Sequence, residues 1–471
     1  MRVAARNREA LEKPAIAMAP KVKKTPGKLP PFWDRNVLFF CNLQSVFFEN
    51  QAAADDLIQE IFGAQSYGGR VISILNLLFK NGPNKILLES APEPHLLDYL
   101  SSDLQLSLPT FEVLDHRAYQ ALHEKLKVTD PSAVDSSVED LKNHPAEWVD
   151  GYVTDSILVK VAARLKKQTI TTLEGSQKGN NKYLLYLHQI EQDLPTFETF
   201  TASSGGEVAT CIKKLFELGY SKAVVKAQIG ASGYGMVITA TKGFNPESIP
   251  DYLFHEGACM VQGWLDHRVP GIERIGSPSI QMFLNDDTVF LFDWTEQILS
   301  DESVHEGNVS PPPYIKQHRA LEEELFRQAS IAGKWLHTQG YRGTASTDFL
   351  VITRKRKLEA IICEINARVT GATYPAVLAR YFKPDGCWNM RNIQFRKSLD
   401  GSQLLSAMDR AAVLYRPGDE RGIIPFNFNM DSDGKVTKGQ FLSLADEPQE
   451  CGALLDHVWT ELPVEWGYAR D

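Results

Sequence analysis

The stretch Cys363-Glu-Ile-Asn-Ala-Arg-Val-Thr-Gly-Ala-Thr-Tyr-Pro375 sets two oxygen-bearing side chains in a segment that is otherwise typical of a buried strand. Glu364 and Asn366 are two residues apart, so they point to the same face of that strand. Asp348 lies in an earlier apolar segment, and the basic run 354–357 between the two segments predicts a hairpin turn. Acidic groups in apolar strands are costly to bury without a partner, and Mg²⁺ prefers oxygen ligands. We therefore predict a Mg²⁺ site at one end of the hairpin; an ordinary polar sheet edge is the alternative.

A glycine-rich loop is the second candidate site. From Lys226 the sequence reads KAQIGASGYGM, between a predicted strand at 222–227 and another at 236–239. Glycines let backbone N–H groups approach phosphate oxygens closely, and lysine supplies a positive charge. The loop is a candidate grip on a polyphosphate, and a plain turn between two strands is the alternative.

The order of these features resembles the ATP-grasp superfamily over about residues 175 to 400. The matching features are, in chain order, Lys182, Lys226 with its glycine-rich loop, a predicted strand at 260–265, Asp348, Glu364, Asn366 and Arg368. Within the superfamily, the strings GNNKYLLYLHQ, VQGWLD and CEINARVTGATYP are similar to the peptide ligases of the pheganomycin type. The resemblance implies an α/β (α+β) ATP-grasp fold with an N-terminal open α/β pre-ATP-grasp domain and a small C-terminal domain.

The resemblance also implies a nucleotide site for ATP. It assigns Lys182 and Lys226 to the phosphates, Gly230, Ser232, Gly233 and Gly235 to a flexible lid, Met260, Gln262 and Trp264 to the adenine hinge, and Asp266 to the ribose. It implies that Asp348, Glu364 and Asn366 hold Mg²⁺, commonly as two ions.

Two residues are implied to be catalytic, Lys226 and Arg368, with Arg368 near the γ-phosphate and the reacting carboxylate. The chain departs from one pattern. Related ligases for small dipeptides often carry an arginine two residues before the metal-binding aspartate, and here that residue is Ser346. Arg368, or Arg342 as an alternative, would then stabilise the transferring phosphoryl group.

Local sequence predicts a disordered basic tail (1–32) and an open α/β region after it. The resemblance implies that this region is the pre-ATP-grasp domain (33–175), followed by the ATP-grasp domain with the nucleotide between two subdomains (176–400) and the small C-terminal domain (401–471). Alternating strand-like and helix-like segments indicate the open α/β part. Lysine and proline with few large apolar residues are typical of a disordered tail. Residues 300–313 are polar and then proline-rich, which predicts a mobile loop, a candidate to close over the substrate, with His305 as a solvated side chain.

Composition restricts the classes of partner. The formal net charge of −9 argues against nucleic acid, because a phosphate-binding face needs a basic excess. No run approaches the roughly 18 apolar residues of a membrane span. The six cysteines are scattered without a CxxC pair, which argues against a zinc site and favours a reducing cytoplasm.

The function implied by the resemblance is a carboxylate–amine ligase that acts through an acyl phosphate and releases ADP and phosphate, in keeping with natural-product biosynthesis. Its partners would be small carboxylate and amine substrates, such as amino acids or peptides, and a second copy of the chain in a homodimer. Two alternatives stay open: an ATP-grasp kinase that phosphorylates a small molecule, and a nucleotide-binding regulator without turnover. A complete set of Lys182, Lys226, Glu364, Asn366 and Arg368 argues against the regulator.

Overall fold

The computed structural model describes residues 19–60, 68–127, 136–231, 233–266, 268–269, 271–300 and 304–462. These residues form three sheets, of five, four and ten strands. None of the helices in the described ranges is both long enough and apolar enough to cross a bilayer.

Strand β1 (Lys21–Lys24) comes first in the chain and belongs to the ten-stranded sheet. The five-stranded sheet and its helices follow: β2 (Val37–Phe40), α1 (Gln51–Glu60), α2 (Gly69–Leu78), β3 (Lys85–Leu88), α3 (Pro94–Asp98), β4 (Thr110–Val113), α4 (His116–Lys125), α5 (Ser136–Asn143), β5 (Trp148–Gly151), α6 (Ser156–Leu165), β6 (Gln168–Thr169) and α7 (Leu173–Gly179). The strand order is β4-β3-β2-β5-β6, and every pair is parallel. Parallel neighbours need crossover connections, which the helices supply. The predicted open α/β architecture is confirmed.

The four-stranded sheet is antiparallel. Its elements are α8 (Lys182–Glu191), β7 (Thr199–Ala202), α9 (Gly205–Glu217), β8 (Lys222–Ala231), β9 (Tyr234–Ala240) and β10 (Cys259–Gly263). The strand order is β7-β10-β8-β9. Helix α9 has apolar residues at the spacing of one helical face, Val208, Cys211, Ile212 and Leu215, and packs that face on the sheet.

The ten-stranded sheet contains the rest of the chain. Its elements are β11 (Ile272–Gly276), β12 (Pro278–Leu284), β13 (Thr288–Ser300), β14 (Val304–Ser310), α10 (Arg319–Thr338), β15 (Gly343–Arg354), β16 (Lys357–Asn366), α11 (Thr373–Phe382), β17 (Cys387–Leu399), α12 (Gly401–Arg410), β18 (Gly422–Met430), β19 (Val436–Ala445) and α13 (Pro448–Glu461). The order is β11-β15-β12-β13-β14-β17-β19-β18, with β16 on β15 and β1 on β13. Both predicted hairpins, β12–β13 and β15–β16, are present.

The prediction of a disordered tail through residue 32 is wrong for residues 19–32; residues 1–18 lie outside the described ranges. Strand β1 pairs in parallel with the first part of β13. The edge is free for β1 there because β14 pairs only with the last part of β13. Two of the lysines in this strand, Lys23 and Lys24, lie over aromatic rings, and Lys21 pairs with Asp287. The Lys23 ammonium is 5.6 Å from the centre of the Phe290 ring. Phe32 then packs edge-on against Phe283, with ring centres 5.1 Å apart.

The prediction of a mobile loop at 300–313 is wrong for β14, which pairs with both β13 and β17. Its polar residues resemble a loop in the sequence, but they find partners inside the protein. His305 and Asn308 are 2.7 Å apart at Nε2 and Oδ1, and the Ser310 hydroxyl donates to Asp293 at 2.9 Å. Residues 301–303 lie outside the described ranges.

The predicted C-terminal domain is continuous with the large sheet. Strand β17, on one side of the predicted boundary at 400, pairs with β19 on the other. One apolar core joins Leu75 of α2, Val377 of α11 and Leu442 of β19. The predicted boundary at 400 therefore cuts through a sheet and a core that the segments share.

Candidate active site

The β15–β16 hairpin brings the three predicted metal ligands together. Asp348 is paired with Glu364, and Ser346 with Asn366. The amide nitrogen of Asn366 donates to Asp348 Oδ2 at 2.9 Å and to Glu364 Oε1 at 3.4 Å. The Ser279 hydroxyl donates to the other oxygen of Asp348 at 2.6 Å. The convergence predicted from the sequence is present.

A β-bulge in β16 determines the face of the sheet to which Glu364 points. Asp348 pairs with Glu364, but its neighbour Phe349 pairs with Ile362, so Cys363 is an extra residue. A bulge shifts the alternation of side chains by one residue. Ile362 and Ile365 consequently both face the core beneath the sheet. Glu364 is thereby directed to the opposite, open face.

Lys182 stands at the first turn of α8. The helix begins there because the Asn181 side chain accepts hydrogen bonds from the backbone N–H groups of Tyr183 and Leu184. The Lys182 ammonium lies 3.0 Å from Glu364 Oε2 and donates to the Gly230 carbonyl at 2.8 Å. It therefore links the glycine-rich loop to the carboxylates.

Lys226 reaches the same cleft from the four-stranded sheet. On β8 it is paired with Met260 of β10. Burial lowers the pKa of Lys226, while the neighbouring Cys363 and Glu364 act to raise it. The two lysines and the three oxygen-bearing side chains thus lie between the four-stranded and the ten-stranded sheets.

The pKa values of the two carboxyl groups are shifted in opposite directions. Burial, together with the adjacent Glu364, raises the pKa of Asp348 to about 6. For Glu364 burial also acts to raise the pKa, but Lys182 and Arg368 outweigh it and hold the pKa below its ordinary value. A cation between the two groups would relieve both the burial and the repulsion.

The donor set fits Mg²⁺. Two carboxylates and an amide are hard oxygen ligands, and Mg²⁺ takes few of these from the protein and the remainder from phosphates and water. Rotation of the Asn366 amide by half a turn would present its oxygen in place of its nitrogen. Within the described ranges there is no group of three or more His, Cys, Asp or Glu residues arranged for a metal, so the amide is needed as the third ligand.

The glycine-rich loop is the tip of the β8–β9 hairpin. Ala231 pairs with Tyr234 across the tip. Gly233 and Gly235 have φ of +86° and +76°, which favour glycine. A methyl group on Gly235 would lie 3.1 Å from Gly230 Cα, so the two strands approach closely here. Ser232 lies outside the described residues.

The predicted hinge residues lie on and after β10. Met260 and Gln262 are buried, and the Gln262 amide donates to the Thr199 hydroxyl at 3.0 Å. The backbone N–H of Trp264 donates to the Lys222 carbonyl at 3.1 Å. Asp266 Oδ1 accepts from the Arg268 N–H at 2.9 Å and closes a turn. Their contact with adenine and ribose stays a prediction.

Sequence reasoning missed an apolar wall beside this hinge. It joins segments from both sheets, and its buried members are Leu265, Ile272, Leu350, Ile352 and Ile361, with Phe197 packed against them. Leu350 and Ile352 alternate along β15 on the same face as Asp348. That alternation is a signal of a second apolar surface on the side of β15 opposite the core.

Sequence reasoning also missed Asn180, which holds Arg368. Asn180 is 4 % exposed, and its Oδ1 accepts from Arg368 Nη1 at 2.8 Å and from the Ala367 N–H at 3.2 Å. Its amide nitrogen donates to the Ser176 carbonyl at 2.8 Å. Arg342, the alternative arginine, instead donates to the carbonyls of His337 and Tyr341 at 2.8 and 2.7 Å.

We expect Asn180→Ala to lower kcat by about 10- to 100-fold, because a catalytic group displaced by about 1 Å loses that much rate. The KM for ATP should change little, since Asn180 touches Arg368 and not the lysines. Steady-state kinetics with varied ATP checks this. Asn143→Ala, on an exposed helix outside the cleft, is the control and should behave as wild type; a matching loss there would contradict the positioning role.

The arrangement of a parallel α/β domain, a small antiparallel sheet over a larger sheet, and a cationic and acidic cleft between them defines the ATP-grasp fold. The chain is similar to an N5-carboxyaminoimidazole ribonucleotide synthetase solved with ADP (12 % identity, 91 % of this chain and 98 % of that one, TM-score 0.56). It is equally similar to a biotin carboxylase complex from Campylobacter jejuni (12 % identity, 91 % and 92 %, TM-score 0.56).

Among curated proteins, the chain is 30 % identical over 167 residues to the [Butirosin acyl-carrier protein]–L-glutamate ligase of Niallia circulans. The match takes in 34 % of this chain and 36 % of that protein, so it spans about a third of the relative's length. No protein-family model matches the chain.

Proposed function

We propose that the protein is an ATP-dependent carboxylate–amine ligase that acts through an acyl phosphate. The observation that carries the proposal is the meeting of Lys182 and Lys226 with Asp348, Glu364 and Asn366 in one cleft, with Arg368 held beside them by Asn180. Lys226 lies on the four-stranded sheet, the three oxygen ligands lie on the ten-stranded sheet, and Lys182 begins α8 beside them, so a triphosphate in the cleft would contact all of them.

The proposed reaction has two steps. A substrate carboxylate oxygen attacks the γ-phosphorus of ATP, the bond to the β–γ bridging oxygen breaks, and ADP leaves. The amine nitrogen then attacks the acyl carbon, loses a proton, and phosphate leaves. The acyl phosphate makes this second step feasible because phosphate is a better leaving group than oxide.

Each residue has a separate part in this chemistry. Lys182 and Lys226 would hold the phosphates, and Arg368 would stabilise charge on the transferring group. Asp348, Glu364 and Asn366 would hold Mg²⁺, which would neutralise further phosphate charge when bound. The β8–β9 tip would cover the phosphates and keep water from the acyl phosphate.

The ligase is preferred over a kinase because the curated relative is, by its name, a ligase that joins L-glutamate to a carrier protein. By analogy we propose an amino acid or peptide as one substrate, a role in natural-product biosynthesis and a cytoplasmic location. A kinase or a regulator remains the alternative that the following experiment separates.

We expect ATP and Mg²⁺ with pools of amino acids to give equal amounts of ADP and free phosphate, and omission of the amino acids to reduce both. ADP and phosphate are measured by separate coupled assays, and the amide product by mass spectrometry. ADP formed without free phosphate would indicate a kinase, and neither product would indicate a regulator. Lys182→Met is the matched control for contaminating ATPase, since it removes the cation that joins Gly230 to Glu364.

A further inference from the structure

A cavity of about 290 Å³ lies at the junction of three parts of the chain. The first part is the segment after β2, with Phe47, Phe48 and Glu49 in the wall. The second is the end of α7 with the beginning of α8, and the third is β8 with the residues that precede β10. We call this the junction cavity. Sites for small molecules have volumes of about 300–1,000 Å³, so the junction cavity suits a small ligand.

The junction cavity adjoins the candidate active site at two places. Asn181 lines the cavity, and the next residue, Lys182, contacts Glu364 in the cleft. Ile229 also lines the cavity, and the carbonyl of the next residue, Gly230, accepts a hydrogen bond from Lys182. A small molecule with one end in the cavity would therefore have its other end near the phosphate-binding lysine.

Part of the cavity wall is apolar. Phe47 and Ile229 are 1 % and 7 % exposed, and the half-buried Phe48 and Leu184 complete this part. Phe48 has a φ of +53°, a backbone conformation that bulky residues rarely adopt and that clusters at functional sites. This part of the wall would pack against the methylene groups of a ligand.

The rest of the wall has an excess of negative charge. Its carboxylates are Glu49 and Glu256, and within the described ranges neither forms an ion pair with a lysine or an arginine. Lys178 is also in the wall, but its ammonium group pairs with Glu174 at 2.5 Å. The remaining ionisable group of the wall is the exposed His255. The cavity therefore favours a cationic group over an anionic one.

Glu256 has an unsatisfied carboxylate oxygen. Its Oε2 atom is buried and has no hydrogen-bond partner among the residues that the structure describes. Burial raises the pKa of Glu256, although His255 and hydrogen bonds from Asn50 and from backbone N–H groups oppose the shift. A buried carboxylate oxygen without a donor opposes folding. Rotation of the carboxyl group would let an ammonium group bound in the cavity supply that donor.

We propose that the junction cavity binds the amine substrate and selects amines that carry a second, positively charged nitrogen on a short aliphatic chain, held by Glu49 and Glu256. A carboxylate substrate would be repelled by these two side chains. The charged nitrogen is not the one that attacks the acyl phosphate, because a protonated amine has no free lone pair. The attacking amine is therefore at the other end of the substrate, toward the cleft. This inference rests on the proposed function for the reaction it serves, whereas binding in the cavity depends only on the wall.

The experiment uses the full chain and matched pairs of probes that differ by one amino group: putrescine with n-butylamine, cadaverine with n-pentylamine, and L-lysine with L-norleucine. Binding is measured from the melting temperature as a function of probe concentration, with Mg²⁺ and a non-hydrolysable ATP analogue present. We expect at least one probe with the additional amino group to bind at least about tenfold more tightly than its partner, a difference of about 1.4 kcal/mol. We expect the double variant with Glu49→Gln and Glu256→Gln to lose this preference.

Two further variants separate binding from a structural role. Glu247→Gln removes the same charge from an exposed position of the segment between β9 and β10 and should leave the preference unchanged. Glu49→Gln alone alters an exposed side chain, so it tests the cavity even if the loss of Glu256 unfolds the protein. We expect it to reduce the preference while the shift in melting temperature caused by the ATP analogue stays at the wild-type value. A preference that survives in Glu49→Gln or in the double variant would overturn the proposal.

The amine-site proposal and the ligase proposal fail in different ways. Turnover is measured as the phosphate that each probe releases from ATP above the level given by a pool of neutral and acidic amino acids. Equal binding and equal turnover within every pair would overturn the amine site and leave the ligase intact. Binding that prefers the additional amino group and requires Glu49 and Glu256, without any phosphate release, would support the selectivity of the cavity and count against the ligase. An active ligase that binds such a probe but never incorporates it into an amide, as judged by mass spectrometry, would overturn the substrate role.

Discussion

Glu364→Gln is expected to reduce ATP-dependent phosphate release by at least about a thousandfold, because it removes a charge that acts on transferring phosphate. In the folded protein Glu364 is held in its charged form by Lys182 and Arg368. Glutamine keeps the shape of the side chain but removes the charge that a divalent cation requires. Phosphate release at saturating ATP and Mg²⁺ is the measurement, and the far-UV circular dichroism spectrum should be unchanged.

Glu359→Gln is the matched control for this variant. It removes the same charge from the same strand, β16, but Glu359 pairs with Arg354 next to the hairpin turn, at 2.9 Å. We expect it to retain near-normal turnover. If Glu364→Gln retained more than a tenth of the wild-type rate, the metal assignment would be wrong.

Arg380→Met is expected to lower the free energy of unfolding by about 3–5 kcal/mol, the usual effect of breaking a buried ion pair by removing one partner. Arg380 of α11 and Asp293 of β13 have side chains only 4 % and 1 % exposed. They share two hydrogen bonds of 2.9 and 2.8 Å, and the Trp388 indole N–H donates to the same carboxylate at 3.1 Å. Without Arg380 the carboxylate loses its only buried cationic partner among the described contacts. Urea-induced unfolding followed by tryptophan fluorescence measures the loss.

Arg327→Met provides the comparison for Arg380→Met. Arg327 pairs with Glu324 on the exposed side of α10, at 2.7 Å. Exposed pairs contribute about 0–1 kcal/mol, so this variant should unfold near the wild-type urea concentration. An equal decrease in the free energy of unfolding in the two variants would contradict the prediction that the buried ion pair contributes more to stability than the exposed one. Since α11 follows directly on the loop after Arg368, weakening its anchor should also lower activity before the chain unfolds.

The sequence determined the features that depend on neighbouring residues. The two hairpins, the glycine-rich tip and the alternation that turns Glu364 and Asn366 to one face are local patterns of period two, closed by turn residues. The order of lysines, glycines and acidic residues then predicted the ATP-grasp fold through the resemblance. The same resemblance predicted that Lys226 and Glu364 lie in one site, although they are far apart in the chain.

The tertiary structure alone decided the features that depend on distant partners. Strand β1 and strand β14 were predicted to be a tail and a loop, because their lysines, histidine and asparagine suit solvent until aromatic rings and buried acceptors are placed beside them. The bulge at Cys363 and the hydrogen bond between Asn180 and Arg368 likewise have no local pattern. Each depends on segments that are tens to hundreds of residues apart. The periodicity of a sequence shows only which face of a strand or helix a side chain is on, whereas the tertiary fold determines which residues pack against that face.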